Sequence, residues 1–184
     1  MLVSSAQENY AATQPALRNS ARFVCVPANY YDLSLMRRAA LLAAPSPAHL
    51  CKSIIVENTH FAADKESRWY TRHYCVIVQY VSRLDTLRVR DFVRSLNGSL
   101  SLQHYNFRFA EEKDSVALTG YTHNAITPLL SRTDLPIILS HRIAELQPRF
   151  LWLGGGHIDV KAGVAVDDIL SHFKDAKVAK ITYD

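Results

Sequence analysis

The chain has 184 residues, 48% of them hydrophobic and 21% charged, with a formal net charge of +4. That balance is enough for a substantial core and excludes wholesale disorder. The small positive excess leans toward a polyanionic partner without requiring one.

Residues 1–14 are small and polar and read as a mobile tail, ahead of one domain over residues 15–184. A helix is expected to begin at Asp32 or Ser34, to carry Leu35, Ala39 and Leu42 on one side, and to stop at Pro45. Residues 50–57 form a strand, and the polar, mixed-charge stretch 58–72 makes a hairpin loop or excursion. Residues 74–80, Tyr-Cys-Val-Ile-Val-Gln-Tyr, read as a central strand buried on both faces. Asp85 is placed to cap a second helix, in which Val89, Phe92, Val93 and Leu96 follow the i, i+3, i+4, i+7 pattern before Asn97-Gly98 ends it. A short strand over 104–109, a brief helix over 110–118, and strands over 136–139 and 150–153 follow. Val166, Ile169, Leu170 and Phe173 mark a last helix, and residues 178–182 a last edge strand. Some links are too short for right-handed crossovers, which favours an α+β domain with helices packed around a mixed sheet.

Cys25, Cys51 and Cys75 lack CxxC spacing, and each lies in an apolar run. Buried free thiols in a reducing compartment are therefore expected, with no zinc site. No apolar run approaches membrane-spanning length, and the first residues lack a signal-peptide core. The expectation is a cytoplasmic protein with no membrane partner.

Three segments carry candidate chemistry. In residues 50–57, period two sets Leu50, Lys52, Ile54 and Val56 on one face, so Lys52 is in phase with the more apolar side. Its ammonium either snorkels from a frayed strand end or faces an anionic partner in a pocket. The loop 119–128, Thr-Gly-Tyr-Thr-His-Asn-Ala-Ile-Thr-Pro, follows the brief helix, with Gly120 able to take positive φ and Pro128 at its far end. Backbone N–H groups among small and polar side chains suit a polar ligand. Gly154-Gly155-Gly156 ends a buried strand and marks a tight turn or a close approach by a ligand or another backbone. The spacing is not that of a GxGxxG nucleotide loop. No serine sits in a GxSxG elbow, and the cysteines read as core, so nucleophilic catalysis has little support. His123, His157 and Asp159 are polar groups near the proposed pocket; period two sets His157 and Asp159 on one side of the strand leaving the glycines. Arg90 and Arg94 share a helix face at i, i+4 and either meet phosphates or form a solvated face.

In this order the segments resemble the YbaK/ProX aminoacyl-tRNA editing family, which holds free-standing trans-editing deacylases and an editing domain of prolyl-tRNA synthetases. The resembling positions are Lys52 heading an apolar strand, Thr119-Gly120-Tyr121 leading to Ile126-Thr127-Pro128, then Leu135-Pro136-Ile137-Ile138-Leu139, then Gly154-Gly155-Gly156, over about residues 50–173. One position departs: the glycine of the family's Gly-x-x-x-Pro loop falls on Asn124, a residue that tolerates left-handed φ. The resemblance implies a mixed, mostly antiparallel, curved sheet and hydrolysis of a mischarged aminoacyl-tRNA ester with no cofactor or metal. It implies that Lys52 anchors the terminal adenosine or its phosphate, and that N–H groups of the Asn124–Pro128 loop hold the aminoacyl carbonyl, with Asn124, Ala125 and Ile126 as the catalytic positions. Gly120, Tyr121, His123, Thr127, Pro128, Gly154, Gly155, Gly156, His157 and Asp159 would line the substrate, and Arg90 and Arg94 would meet tRNA. The expected partner is the aminoacyl-tRNA acceptor end, with an aminoacyl-tRNA synthetase as an optional second. The Asn124 side chain should narrow the pocket toward a small aminoacyl group. The alternative is a non-catalytic tRNA-binding or synthetase-associated module.

Overall fold

A computed structural model describes residues 21–98, 100–173 and 175–183, so the tail expected over 1–14 lies outside the described residues. Among the described residues are eight strands, β1 (Arg22–Cys25), β2 (Cys51–Asn58), β3 (His73–Gln79), β4 (Phe107–Phe109), β5 (Ile137–Ser140), β6 (Phe150–Gly154), β7 (Val160–Ala165) and β8 (Lys177–Ala179). Five helices join them, α1 (Leu35–Leu41), α2 (Thr86–Ser95), α3 (Glu112–Thr119), α4 (His141–Ala144) and α5 (Val166–His172). The class is α+β, but the expected single sheet is two: one ordered β1-β7-β6, the other β4-β2-β3-β5-β8. The β3–β5 and β5–β8 pairings are parallel and the other four antiparallel. Among the described residues one isolated bridge, Leu50 with Trp152, links the two sheets by backbone hydrogen bonding, where β2 begins and β6 runs past it.

Local chemistry sets several helix ends. Ser34 caps α1, its hydroxyl accepting from the Arg37 N–H. Asp85 caps α2 by accepting from the N–H groups of Leu87 and Arg88 at 2.9 and 3.2 Å. Such a cap is worth about 1 kcal/mol. Gly120 ends α3 in the left-handed region at φ +80° and donates its N–H to the Val116 carbonyl. Arg132 packs where a Cβ on Gly120 would sit.

The central strand β3 is buried on both faces, as its unbroken apolar run demands. One face, with Cys75 and Ile77, joins Cys51 and Ile55 of β2, Leu151 and Leu153 of β6, Ala162 and Val164 of β7, and Ile169 of α5. The other, with Tyr74, Val76 and Val78, packs on Val89 and Val93 of α2. Each of these two valines, fully buried, contributes about 2 kcal/mol. A third cluster seats Ala39 and Leu42 from α1 and its end on Tyr30, Leu50 and Trp152.

Two expectations about burial fail. Cys25 is exposed, because edge strand β1 pairs only with β7 and turns that position outward. At the head of β2 the covered side carries Cys51, Ser53 and Ile55, whereas Lys52 and Ile54 are half-exposed. The apolar count of a strand face did not decide which face the second sheet covers. Strand β4 and helix α3 are shorter than expected, and the stretch 104–106 is not strand.

Candidate active site

Lys52 reaches the wall of a cavity of about 520 Å³ between the head of β2, the end of β3, the start of α3 and the loop after α3. Its walls include Ile54, Tyr80, Phe109, Glu112, Tyr121, His123, Asn124, Ile126 and Gly154. That size suits a small-molecule moiety rather than a single water or ion. The Lys52 ammonium lies 5.6 Å from the centre of the Tyr80 ring and has no acidic partner among the described residues. A cation held over an aromatic face and left unpaired by protein carboxylates is available to an anionic or carbonyl ligand.

The loop opposite is held at several points. The Tyr121 hydroxyl donates to the Leu129 carbonyl at 2.7 Å, drawing the loop's ends together. Asn124 sits at φ +66°, a left-handed conformation that asparagine accepts at less cost than most residues. The Ala125 N–H donates to the Thr122 carbonyl at 3.0 Å. Ala125 is therefore no free donor, a correction to the expected set, and the tight turn is the reason. The N–H groups of Asn124 and Ile126 have no acceptor among the described residues.

The glycine turn acts from behind this loop. A Cβ on Gly154 would stand 2.6 Å from the Ile126 carbonyl oxygen and 2.8 Å from that of Ala125, so only a bare backbone lets β6 end against the loop. The Gly156 N–H donates to the Ala125 carbonyl at 3.3 Å. Gly154 thus serves approach by the loop backbone, whereas a Cβ on Gly155 would meet Val160 and one on Gly156 the Tyr121 ring; of the three glycines only Gly154 lines the cavity.

Other expected residues fall elsewhere. Strand β7 begins only at Val160, so period two does not govern His157 and Asp159. They lie on the turn, where the Asp159 N–H donates to His157 Nδ1 at 3.2 Å, and neither lines the Lys52 cavity. Gly155 and Gly156 stay outside it, and Gly120 is a helix cap. Thr127 and Pro128 line a separate cavity of about 500 Å³, together with Arg132 and His172. Arg90 pairs with Asp91 at 2.8 Å, and neither Arg90 nor Arg94 lines the Lys52 cavity.

Sequence reasoning missed Tyr31, Tyr80, Phe109, Glu112 and Lys161. Lys161 is only 4% exposed. It donates to the Tyr31 hydroxyl at 2.7 Å and to the Ile158 carbonyl at 2.9 Å. Burial pushes its pKa down from 10.5 to about 8, against a weaker upward pull from Asp159, while Arg38 adds to the lowering. The Tyr31 hydroxyl in turn donates to the Asn124 carbonyl at 2.7 Å. Burial, with Tyr80 beside it, drives the Tyr31 phenol far above its ordinary range, so it stays protonated and a donor. The signal for Lys161 was visible as one charge inside the apolar run Val160-Lys161-Ala162-Gly163-Val164. The nucleophile alternative is weakened further: Cys51 and Cys75 are fully buried, with thiol pKa values raised, that of Cys75 to about 12.

Among the described residues no helix is long and apolar enough to cross a membrane, and no group of His, Cys, Asp and Glu side chains could hold a metal ion. No family model and no curated protein matches the chain. Solved structures do. A candidate trans-editing enzyme for prolyl-tRNA synthetase aligns over 98% of each chain, with 19% identity and a TM-score of 0.72. A scaffold protein from computational epitope grafting aligns over 99% of this chain and 97% of its own, at 17% identity and a TM-score of 0.73. The hypothetical protein APE2540 aligns over 97% and 99%, at 17% identity and 0.68. At these identities the likeness is one of fold: the chain has the α+β fold of that trans-editing protein along nearly its whole length.

Proposed function

We propose that the protein is a trans-acting editing hydrolase that deacylates aminoacyl-tRNA mischarged with a small amino acid. The observation that carries this is one cavity lined both by Lys52, whose ammonium has no carboxylate partner among the described residues, and by a loop whose Asn124 and Ile126 N–H groups have no acceptor among them. The shared fold with a candidate prolyl-tRNA synthetase trans-editing enzyme supports the substrate class. Lys52 would anchor the terminal adenosine or its phosphate, and the Ile126 and Asn124 N–H groups would receive the aminoacyl carbonyl. As water attacks, that carbonyl oxygen gains charge, and each well-aimed donor can stabilise it by about 3 kcal/mol. The ester is activated, so water and the neighbouring ribose hydroxyl suffice to move the proton. His123, Tyr121 and Asn124 border the same space, and the Asn124 side chain would restrict the aminoacyl group there. The acceptor end of tRNA is the partner, with a synthetase as a further one, in the cytoplasm.

A non-catalytic tRNA-binding module is the second reading, favoured by one observation: the Ala125 N–H is engaged within the turn and no side-chain nucleophile lines the cavity in an activated state. A panel of mischarged tRNAs separates the two. Hydrolysis of at least one small aminoacyl ester, lost in Lys52→Ala with stability changed by less than about 0.5 kcal/mol, is the expected result. Full activity in Lys52→Ala would overturn the site, and no hydrolysis of any tRNA the activity.

A further inference from the structure

The strongest feature that the proposed chemistry does not use is the buried ammonium of Lys161. It belongs to β7, outside the cavity walls, and carries no carboxylate at ion-pair distance among the described residues. The centres of the Tyr31 and Tyr30 rings lie 4.6 and 5.2 Å away. An apolar side chain of similar length would fill this place without the cost of burying a charge. What the ammonium adds is a polarised donor chain, from Lys161 Nζ to the Tyr31 hydroxyl and from that hydroxyl to the Asn124 carbonyl, both links 2.7 Å. A hydroxyl that accepts from a cation is itself a stronger donor.

The chain ends on the peptide unit that sets the aim of the next one. The 124–125 peptide is held at its oxygen by Tyr31 and at its N–H by Thr122. The 125–126 peptide is held at its oxygen by Gly156, on the glycine side of the loop. In a trans peptide the N–H points opposite to the C=O, so the Ile126 N–H is directed away from the glycines. Ile126 lines the cavity.

We propose that Lys161 and Tyr31 are positioning residues, a buried strap that locks the left-handed turn at Asn124 and so aims the Ile126 N–H at the reacting carbonyl. The catalytic use of that N–H rests on the deacylase reading; the locking of the turn does not. Arg38 steadies the Tyr31 end, its guanidinium donating to the Tyr31 carbonyl and lying 5.2 Å from the ring centre. Separations of 93 and 130 residues along the chain explain why no local motif announces the strap.

The test uses Tyr31→Phe, which deletes one hydroxyl and keeps the ring, with Lys161→Met and the double variant, each checked for an unchanged fold by circular dichroism. Amide hydrogen exchange in the substrate-free protein is read at Ala125 and Gly156, with β3 amides as the internal reference. The strap requires exchange at Ala125 and Gly156 to quicken about tenfold or more in Tyr31→Phe while β3 stays put. On mischarged tRNA, kcat should fall about tenfold or more with KM within about twofold, as for a group acting only on the transition state. Adding Lys161→Met to Tyr31→Phe should bring no further loss, because the two act as one chain. Unchanged exchange at both amides in Tyr31→Phe would overturn the strap whatever the activity. Faster exchange without any change in kcat would leave the turn locked by Tyr31 but refute the aim of the Ile126 N–H. Faster exchange in a protein whose wild type hydrolyses no mischarged tRNA would uphold the strap and defeat the deacylase reading instead.

Discussion

Replacing Lys161 by Met isolates the cost of a charge buried beside Tyr30 and Tyr31. Lys161 is 4% exposed, and its pKa falls to about 8 from 10.5. Below about pH 8 both folded and unfolded chains bind this proton, and holding it inside costs the fold about 3 kcal/mol. Between about pH 8 and 10.5 the unfolded chain keeps the proton that the folded chain has released. The unfolded state then binds more protons, so this group's contribution to stability rises with pH across that window and levels off above it. Raised phenols and thiols, such as Tyr31, Cys51 and Cys75, act in the opposite sense, because they ionise first in the unfolded chain. Their contributions cancel when the wild type and Lys161→Met are compared at the same pH. Urea denaturation of both proteins at about pH 7 and about pH 9.5 should show the wild type gaining about 2 kcal/mol relative to the variant over that interval. A stability difference independent of pH to within about 0.5 kcal/mol would refute the depressed lysine and the dry surroundings inferred for it.

Gly154→Ala should destabilise the protein by about 1–3 kcal/mol, since its Cβ would stand 2.6 Å from a backbone oxygen, and a thermal melt measures it; a neutral effect would mean the loop can retreat. Asn124→Gly should widen the aminoacyl range toward larger side chains, read as the ratio of hydrolysis rates for large and small esters; identical selectivity would mean that Asn124 does not restrict the pocket. tRNA binding should weaken steeply with salt, and reversing the charges of Arg90 and Arg94 should reduce the slope by about two contacts. An unchanged slope would make these residues a solvated face, in keeping with the Arg90–Asp91 pair.

The parts legible from the sequence were those settled by neighbours along the chain. The α2 pattern with Asp85 before it needs only the helical repeat and one cap: the cap and the buried Val89 and Val93 are as expected, whereas Phe92 is half-buried and Leu96, just past the helix end, is exposed. The same holds for β3, whose unbroken apolar run leaves no face for water, and for Gly120, whose missing Cβ lets α3 close in the left-handed region. In the candidate site the approach of Lys52 to the loop was signalled by the family-like order of segments. The division of donors within that loop was not. Whether Ala125 or Ile126 keeps a free N–H depends on a single turn bond to Thr122, which composition does not reveal.

Tertiary structure alone decided which face of β2 is covered, because that follows from the second sheet arriving at Trp152 beside Leu50. It also decided that Lys161, one charge in an apolar strand, is buried against two tyrosines rather than turned to water. Periodicity reports a residue's relation to its own element and carries no record of the surface laid over that element. The contacts that shape the cavity are of the second kind. Tyr31 meets Asn124 from 93 residues away and Lys161 from 130, so only the packing of β7 and the segment before α1 onto the loop brings them together.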